Sequence, residues 1–469
     1  MAAEALDALG YADETDWGLV MHESPVEPEL LPRLDDVCVV VILAAEQSGW
    51  IRLPMFIAVR VKGAAPEWRA GVVAQPERPA WRYLTLLLST GGVAVHDLDH
   101  GASRGLLQNA ENRGVTVDIS ILLDRMDEPT LAVLLGLAVG TIFGVAAQRS
   151  SFCLRAATVE FARGQVGPKV AVWLLAFSTA LIWVQTAQAL GLFRASDARM
   201  MAVAGSWSGA AIGGLMFGAG MVLARGCSGR LLVLAATGNL RSVISGLIFA
   251  VVAQMALHGW LAPLRQALAA LWVTPGGRNV DLLATLSLPP WAGLGIGIAA
   301  TGVALGIAWR NRIDARVLVF ASGVGFAVAL GWVLTFSLSQ VAFEPVAVTS
   351  ATFSGPSAAT LMFFLTPNPE LSFDIGLVPG VFLGAFLAAA WAGELKLQGF
   401  EGEGQMRRSM AGAALMGFGA MLAGGCAIGA GVTGGSIFVA TAWAALLSMW
   451  VGAVLTDFLV DQVGAKVRQ

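Results

Sequence analysis

The sequence predicts an all-α polytopic membrane protein with about nine transmembrane helices, short re-entrant half-helices and an inverted pseudo-repeat. Three observations support this fold class. Hydrophobic residues make up 56% of the chain, charged residues 13%, and the mean hydropathy is +0.71, whereas a soluble globular protein carries about 25% charged residues. Nine apolar stretches approach the length of about 20 residues that a bilayer core requires. A glycine-rich break that holds a cysteine occurs twice.

The nine predicted spans alternate with short polar loops from residue 130 onward. Four further segments are too short to cross a bilayer, so they are candidate half-helices. The spans are residues 130–147, 169–193, 205–224, 242–262, 288–309, 317–339, 376–394, 408–424 and 436–456. The short segments are residues 150–162, 227–239, 352–365 and 426–434.

Residues 1–125 differ in character from residues 126–469. They hold 10 Lys/Arg and 18 Asp/Glu, against 19 and 14 in the rest. They show no secretory signal, and we predict strands at Val37–Ala45 and Leu53–Val61. Two interpretations stay open. The segment is either a small acidic domain of unknown role before the membrane domain, or a mis-assigned start with translation beginning at Met126, whose Met-Asp-Glu-Pro-Thr leads directly into an apolar run.

The distribution of basic residues predicts the orientation in the membrane. Lys and Arg concentrate in the loop after every odd-numbered span, and such loops face the cytoplasm. With nine spans, the C-terminus is predicted to lie in the cytoplasm and Met126 outside. We expect the protein in the inner (plasma) membrane. Export of an acidic domain of 125 residues without a signal conflicts with this topology, which favours the Met126 start.

The repeated break defines the inverted pseudo-repeat. The first copy, Gly214–Arg230, ends in Ala-Arg-Gly-Cys-Ser-Gly-Arg, and the second, Ala414–Gly429, ends in Ala-Gly-Gly-Cys-Ala-Ile-Gly. We expect Cys227 and Cys426 to lie one residue past the end of an apolar helix. One copy ends a span that runs inward and the other a span that runs outward, which is the arrangement of many transporters.

Three of the four cysteines lie at such breaks, because Cys153 follows the first span while Cys38 belongs to the N-terminal segment. A thiol is a weak donor and a polarisable acceptor, which suits a soft sulfur anion that must be held lightly and passed on. The alternative is that cysteine simply packs well beside glycine. No Cys-x-x-Cys motif or Cys/His cluster indicates a zinc or thioredoxin-like site, and we predict no metal or cofactor.

Residues around the cysteines complete the candidate path. Glycine allows the backbone to leave helical geometry. Arginines near the breaks suit an anion, although the excess of basic residues in cytoplasmic loops also explains them. A polar stretch from Thr352 to Ala359 reads as a half-helix whose serines cap amides or line the path. The candidate substrate-path residues are Cys153, Cys227, Cys426, Gly226, Gly425, Ser228, Arg225, Arg230, Arg155 and Ser354.

Four motifs resemble those of a known family. They are Gln-Arg-Ser-Ser-Phe-Cys153-Leu, Gly-x-Gly-Met-x-Leu-Ala-Arg-Gly-Cys227-Ser-Gly, Gly-Phe-Gly-Ala-Met-Leu-Ala-Gly-Gly-Cys426 and Phe-Ser-Gly-Pro356. Over about residues 126–460 the chain is similar to the YeeE/YedE family of sulfur-compound transporters, whose studied members take up thiosulfate. The resemblance implies an hourglass of helices, a relay along the three cysteines by weak hydrogen bonds, and a cytoplasmic TusA-like sulfur-carrier protein as partner.

The sequence therefore predicts a transporter or channel, not an enzyme, for a small sulfur-containing anion, with thiosulfate first. The motifs Gly-Cys-Ser-Gly-Arg and Gly-Cys-Ala-Ile-Gly depart from the family's Gly-Cys-Thr-Ser-Gly-His, which leaves sulfite or a selenium compound as alternatives. Two other classes stay open: a membrane thiol enzyme, such as a sulfurtransferase, and a structural subunit. The net charge of −3 does not favour a nucleic-acid partner.

Overall fold

A computed structural model describes residues 38–42, 83–89, 92–96, 126–289, 291–367, 370–399 and 402–463. The chain divides into two compact units, Met1–Gly114 and Val115–Gln469. In the first unit, strands Cys38–Ile42 (β1), Tyr83–Ser89 (β2) and Gly92–His96 (β3) form an antiparallel sheet in the order β1-β2-β3.

The sequence predicts this sheet only in part. Strand β1 falls within the predicted strand Val37–Ala45, and β2 and β3 were not predicted. The second predicted strand, Leu53–Val61, lies outside the described residues.

The second unit contains nine candidate membrane spans among its described residues, which confirms the predicted all-α polytopic fold. Each span is built on one long helix. The long helices are Glu128–Ser150 (α1), Pro168–Ala189 (α3), Trp207–Leu223 (α4), Leu240–Leu257 (α6), Ala292–Arg310 (α7), Ala315–Val341 (α8), Phe373–Ala392 (α10), Glu403–Leu422 (α11) and Ala440–Thr456 (α12).

Short helices occupy the four segments that are too short to cross a bilayer. They are Leu154–Ala162 (α2), Ser228–Ala236 (α5), Gly355–Phe363 (α9) and the π-helix Ala427–Gly434 (π1). The remaining connections contain the helices Arg199–Ala202, Ala262–Ala270 and Leu282–Thr285, the 3-10 turns Ala195–Asp197 and Pro275–Gly277, and the π-helix Asp457–Val463.

The packing partners of the helices reveal the repeat. The six elements α1-α2-α3-α4-α5-α6 correspond in order to α8-α9-α10-α11-π1-α12, and exchanging the two sets maps one set of contacts onto the other. Thus α1 packs on α10 as α8 packs on α3, α4 packs on α12 as α11 packs on α6, and α6 contacts α9 as α12 contacts α2. Helix α7, which packs on α3, stands between the repeats without a counterpart.

The two repeats run in opposite directions. Helices α4 and α11 correspond to each other and pack antiparallel, since Gly209 lies against Leu422 at one end and Gly220 against Gly412 at the other. Corresponding elements that are antiparallel neighbours are related by an axis across the helices, as in inverted-repeat transporters. The predicted inverted pseudo-repeat is therefore confirmed.

Glycine ladders allow the helix backbones to approach closely. A Cβ atom on Gly140 of α1 would clash with the carbonyl oxygen of Leu377, and one on Gly380 of α10 with that of Leu137. Small residues four apart are the sequence form of this packing in membranes, where close backbone contact replaces the hydrophobic driving force. The ladder consists of Gly136, Gly140, Gly144, Gly376, Gly380 and Gly384.

Polar contacts gather the loops into two groups at opposite ends of the bundle. At one end, where α1 finishes, Gln148 Nε2 donates to Glu394 Oε2 at 2.9 Å and Arg163 pairs with the buried Asp457 at 3.0 Å. The other loops of this end join through contacts of Lys396 with Thr237, Gln398 with Gly238 and Asn311 with Val166. This is the end at which the loops after odd-numbered spans meet.

The opposite end lies where α1 and α10 begin. Asp127 caps α1, and the hydrogen bonds that it accepts from the Thr130 hydroxyl and amide hold the pKa of its carboxyl below the usual value. The Glu128 carboxylate accepts the Phe343 amide at 2.7 Å. The Arg199 amide donates to the Val348 carbonyl at 3.0 Å.

The ladder predicts that adding one methyl group at Gly380 weakens the bundle. For Gly380→Ala we expect the free energy of unfolding to fall by about 1–3 kcal/mol, because the new Cβ would clash with backbone atoms rather than with a side chain that can move. The measurement is the thermal unfolding midpoint of the detergent-purified protein. Gly306→Ala is the matched control, because a Cβ there meets nothing within 4 Å. Equal midpoints for the two variants would contradict the ladder.

Candidate functional site

The three cysteines of the membrane unit all begin a short helix. Cys153 is the N-cap residue of α2, Cys227 of α5 and Cys426 of π1, each with an extended backbone. Their exposed fractions are 8%, 1% and 0%, and none forms a disulfide. The sequence prediction that Cys227 and Cys426 lie one residue past the end of an apolar helix is therefore wrong. Helices α4 and α11 end four residues earlier, at Leu223 and Leu422, and each cysteine caps the next element.

The same backbone turn precedes each thiol. Ser151, Arg225 and Gly424 adopt the left-handed conformation, with φ of 52°, 58° and 77°. The next amide then bonds a carbonyl five residues back, as Gly226 N does to Met221 O at 3.0 Å. This turn satisfies the last carbonyls of the long helix. Before Cys227 the left-handed residue is Arg225, which gives no sequence signal for such a turn because left-handed residues are usually glycine.

The amides of each short helix point toward its cysteine sulfur. The Gly429 amide, in the third position of π1, donates to Cys426 Sγ at 3.5 Å. The amides of Ala156 and Arg230, in the equivalent positions of α2 and α5, lie near the other two sulfurs without the geometry of an ordinary cap hydrogen bond. A helix N-terminus carries partial positive charge, so all three thiols lie in a field that favours an anion.

Two of the thiols form a pair. Cys153 and Cys227 are neighbours whose thiol groups interact with each other, and Cys426 lies within electrostatic range of Cys227. The helices α5 and π1, which the two repeated motifs introduce, pack against each other. The structure therefore brings together the three cysteines, which are remote in sequence.

The surroundings of Cys426 form a second group of polar atoms, which we call the Cys426 cluster. Its sulfur accepts the Phe353 amide at 3.3 Å and lies 4.0 Å from Thr352 Oγ1, which in turn is 3.4 Å from Ser354 Oγ. Ser354 is the N-cap of α9, the counterpart of α2, so it occupies in one repeat the position that Cys153 occupies in the other. The site thus has two related halves, one with two thiols and one with a thiol and two hydroxyls.

Buried hydrogen bonds hold the irregular segment 349–354 that carries part of this cluster. Thr335 Oγ1 on α8 donates to the Thr349 carbonyl at 2.6 Å, and the Ser350 hydroxyl donates to Val328 O at 2.5 Å. From the other side, Thr433 Oγ1 of π1 donates to the Ala351 carbonyl at 2.5 Å. Irregular backbone inside a membrane protein needs such hydrogen-bond partners, because lipid offers none.

Two polar groups beside the cysteine pair have no hydrogen-bond partner among the described residues. The Ser228 hydroxyl, next to Cys227, is buried and unpaired, and so is the Nη1 atom of Arg230, whose charge acts on Cys153. Unsatisfied buried donors are rare in native proteins. Both groups can therefore donate a hydrogen bond to a further partner.

The other predicted residues have different surroundings. Arg225 is exposed and forms the left-handed turn, and Arg155 is half-buried as the second residue of α2. Gly226 and Gly425 immediately precede the motif cysteines. A Cβ on Gly425 would lie 2.7 Å from Ala430 N, whereas one on Gly226 would make an ordinary contact of 3.4 Å with Leu231.

The sequence prediction misses Thr352 and the Phe353 amide. The similarity of Ser-Phe-Cys153 to Thr-Phe-Ser354 could have indicated that the second stretch belongs to the site. This similarity is recognised only once α2 and α9 are known to correspond. Among the described residues, no group of three or more His, Cys, Asp or Glu side chains is placed to hold a metal ion.

Comparison with known proteins agrees with this architecture. The family model described as Sulphur transport matches residues 149–455, which include all three buried cysteines and Ser354. The chain belongs to this family. The resemblance to YeeE/YedE transporters drawn from the motifs is thereby confirmed, and a transporter rather than an enzyme is supported.

Relatives within this family are named as transporters. The chain is 26% identical over 356 residues to the thiosulfate transporter TsuA of Escherichia coli K12, covering 70% of this chain and 94% of the relative. It is 29% identical over 340 residues to TsuA of Spirochaeta thermophila, covering 68% and 96%. A shorter match, 31% over 112 residues, covering 23% and 28%, is to the probable transporter YedE of Salmonella typhimurium.

The two glycines before the motif cysteines make a matched test of the site's construction. We expect Gly425→Ala to lower the free energy of unfolding by about 1–3 kcal/mol, since the new Cβ overlaps the backbone of π1. Gly226→Ala should stay within about 0.5 kcal/mol of the parent protein. Thermal unfolding in detergent measures both, and a larger loss for Gly226→Ala would contradict the description.

Proposed function

We propose that this protein transports thiosulfate across the inner membrane, passing the anion between the Cys426 cluster and the Cys153–Cys227 pair. The observation that carries the proposal is the proximity of three buried, helix-capping thiols: Cys153 and Cys227 are neighbours, and Cys426 lies within electrostatic range of Cys227. The names of the TsuA relatives support thiosulfate as the substrate.

Weak binding is the chemical advantage of this path. A thiol donates weakly and its sulfur is polarisable, so each cysteine holds a sulfur anion without trapping it. Conduction requires sites that admit the ion and release it again. The Cys153–Cys227 pair and the Cys426 cluster lie within electrostatic range of each other, so the anion meets the second group before it leaves the first.

Positive potential for the anion comes from fixed groups. The N-terminal amides of α2, α5 and π1 supply partial charge in the path itself. Arg230 adds a full charge beside Cys153, and its unpaired Nη1 together with the Ser228 hydroxyl offers two donors to an oxyanion. We assign these two residues to binding next to the cysteine pair.

We infer the orientation from the end of the bundle where the basic loops meet. Loops rich in Lys and Arg stay in the cytoplasm, and Arg163, Arg310 and Lys396 belong to loops at this end. Asp457, just after α12, pairs with Arg163 there, so the proposal places the C-terminus in the cytoplasm. A cytoplasmic TusA-like carrier as partner rests on the family resemblance alone.

Replacing each buried thiol tests the proposed path. A hydrogen bond to a charged group contributes about 1.5–3 kcal/mol, and about 1.4 kcal/mol corresponds to a factor of ten. We therefore expect Cys153→Ala, Cys227→Ala and Cys426→Ala each to lower uptake of labelled thiosulfate into proteoliposomes about tenfold or more. Competition by unlabelled sulfite, sulfate and selenosulfate in the same vesicles defines the substrate.

Cys38→Ala is the matched control, since Cys38 belongs to the separate N-terminal unit. It should transport as the parent protein does. Parental uptake by all three membrane variants would refute the thiol path. Mass spectrometry of the protein during turnover separates transport from thiol-enzyme chemistry, because a covalent persulfide on any of the three cysteines would favour the latter.

A further inference from the structure

Asp374 is a half-buried acidic residue that the proposed path does not use. It is the second residue of α10 and lies within a membrane-spanning segment. Its Oδ1 atom is enclosed and has no hydrogen-bond partner among the described residues. Ionisable side chains inside membrane segments are costly and are commonly functional.

The carboxyl lies beside the Cys426 cluster. Asp374 Oδ2 would be 3.9 Å from a Cβ atom on Gly355. Apart from the chain neighbours of Gly355 and the backbone of α9 itself, no other described heavy atom comes within 4 Å of that position. Gly355 directly follows Ser354 and opens α9. The acid therefore lies at the same helix start as the Ser354 hydroxyl, on the side of the site where α10 begins.

The fold itself does not demand an acid here. Helix α3 corresponds to α10, and the second residue of α3 is Lys169, which is exposed. An acidic residue in a first turn also stabilises a helix through its dipole, but that role does not require an enclosed oxygen without a donor. Asp374 is thus a charge that one half of the repeat has and the other lacks.

The charged groups around Asp374 do not neutralise it by direct contact. Arg199, from the connection before α4, acts on it electrostatically, and α9 has no ionisable side chain. On α5, Arg230 lies by the cysteine pair. On α1 and at its start, Asp127 caps the helix, Glu128 accepts the Phe343 amide, and Arg149 pairs with Glu394 at the far end. In the neighbouring loops, Glu344 and Glu370 are exposed.

We propose that Asp374 is a proton-binding gate: an anion occupies the Cys426 cluster only when Asp374 carries a proton. An ionised Asp374 would repel an anion held near the start of α9, whereas the neutral acid can donate a hydrogen bond to it. The proton comes from water at the end where α10 begins and binds a carboxyl oxygen. No bond of the anion changes. This gate rests on the proposed transport function.

Uptake of labelled thiosulfate into proteoliposomes at different external pH tests the gate. Thiosulfate keeps its charge over the pH range used, so any change of uptake with pH arises from the protein. We expect the parent protein to take up more thiosulfate as pH falls, by at most about tenfold per pH unit for one linked proton. Asp374→Asn should remove the slope, and Asp374→Glu should keep it.

Asp314→Asn is the matched control. Asp314 is an exposed N-cap residue of α8 that accepts the Arg316 amide, a role that asparagine also fills. It should show the parental slope. A slope in Asp374→Asn equal to that of the parent, or no slope in the parent, would overturn the gate. Absence of uptake by the parent at every pH would instead refute the transport function.

A second measurement covers an Asp374→Asn protein that folds but does not transport. Thiosulfate is added to the detergent-purified protein in weak buffer with a pH indicator. The gate requires the parent protein to take up about one proton per bound anion and the Asp374→Asn protein to take up none. Equal proton uptake by the two proteins, or none by either, would overturn the proposal.

Discussion

Close backbone contact between glycine-rich helices is the constraint on which the rest of this structure depends. A membrane interior offers no water to a broken helix, so every break must be enclosed by protein. The ladder of α1 and α10, and the antiparallel contact of α4 with α11, bring backbones near enough to enclose four short helices. A side chain at these glycines would push the helix backbones apart, because the added Cβ would lie within 3 Å of neighbouring backbone atoms.

The enclosed breaks explain why cysteine suits these positions. The long helix before each thiol ends in a left-handed turn that satisfies its last carbonyls, and the short helix that follows leaves its first amides for the N-cap side chain. The Cys426 thiol accepts such an amide at 3.5 Å, and the Cys153 and Cys227 thiols make no ordinary cap hydrogen bond. A weakly bonded thiol can interact with a ligand. Ser354 shows that the inverted repeat accepts a hydroxyl at the same position, so the two halves of the site differ in softness while they share geometry.

Much of this could be predicted from the sequence, for physical reasons. The lengths of the apolar stretches predicted the nine spans, and the paired Gly-Cys motifs predicted the inverted repeat. Local turns were harder, because the left-handed Ser151 and Arg225 carry no compositional signal. The sequence predicted that the three cysteines share one path, but it did not predict the individual contacts between distant segments. The bond from the Phe353 amide to Cys426 and the position of Asp374 beside Gly355 depend on α9 packing between α6 and α10.

The central claim is that the thiols of the two repeats line a single route for the anion. The most direct test is a crystal structure of the protein with bound selenosulfate, measured at the selenium absorption edge. The account predicts anomalous density within hydrogen-bonding distance of the Cys153–Cys227 pair, of the Cys426 cluster, or of both. Selenium bound only on lipid-facing surfaces, or in a cavity that none of these cysteines lines, would contradict it.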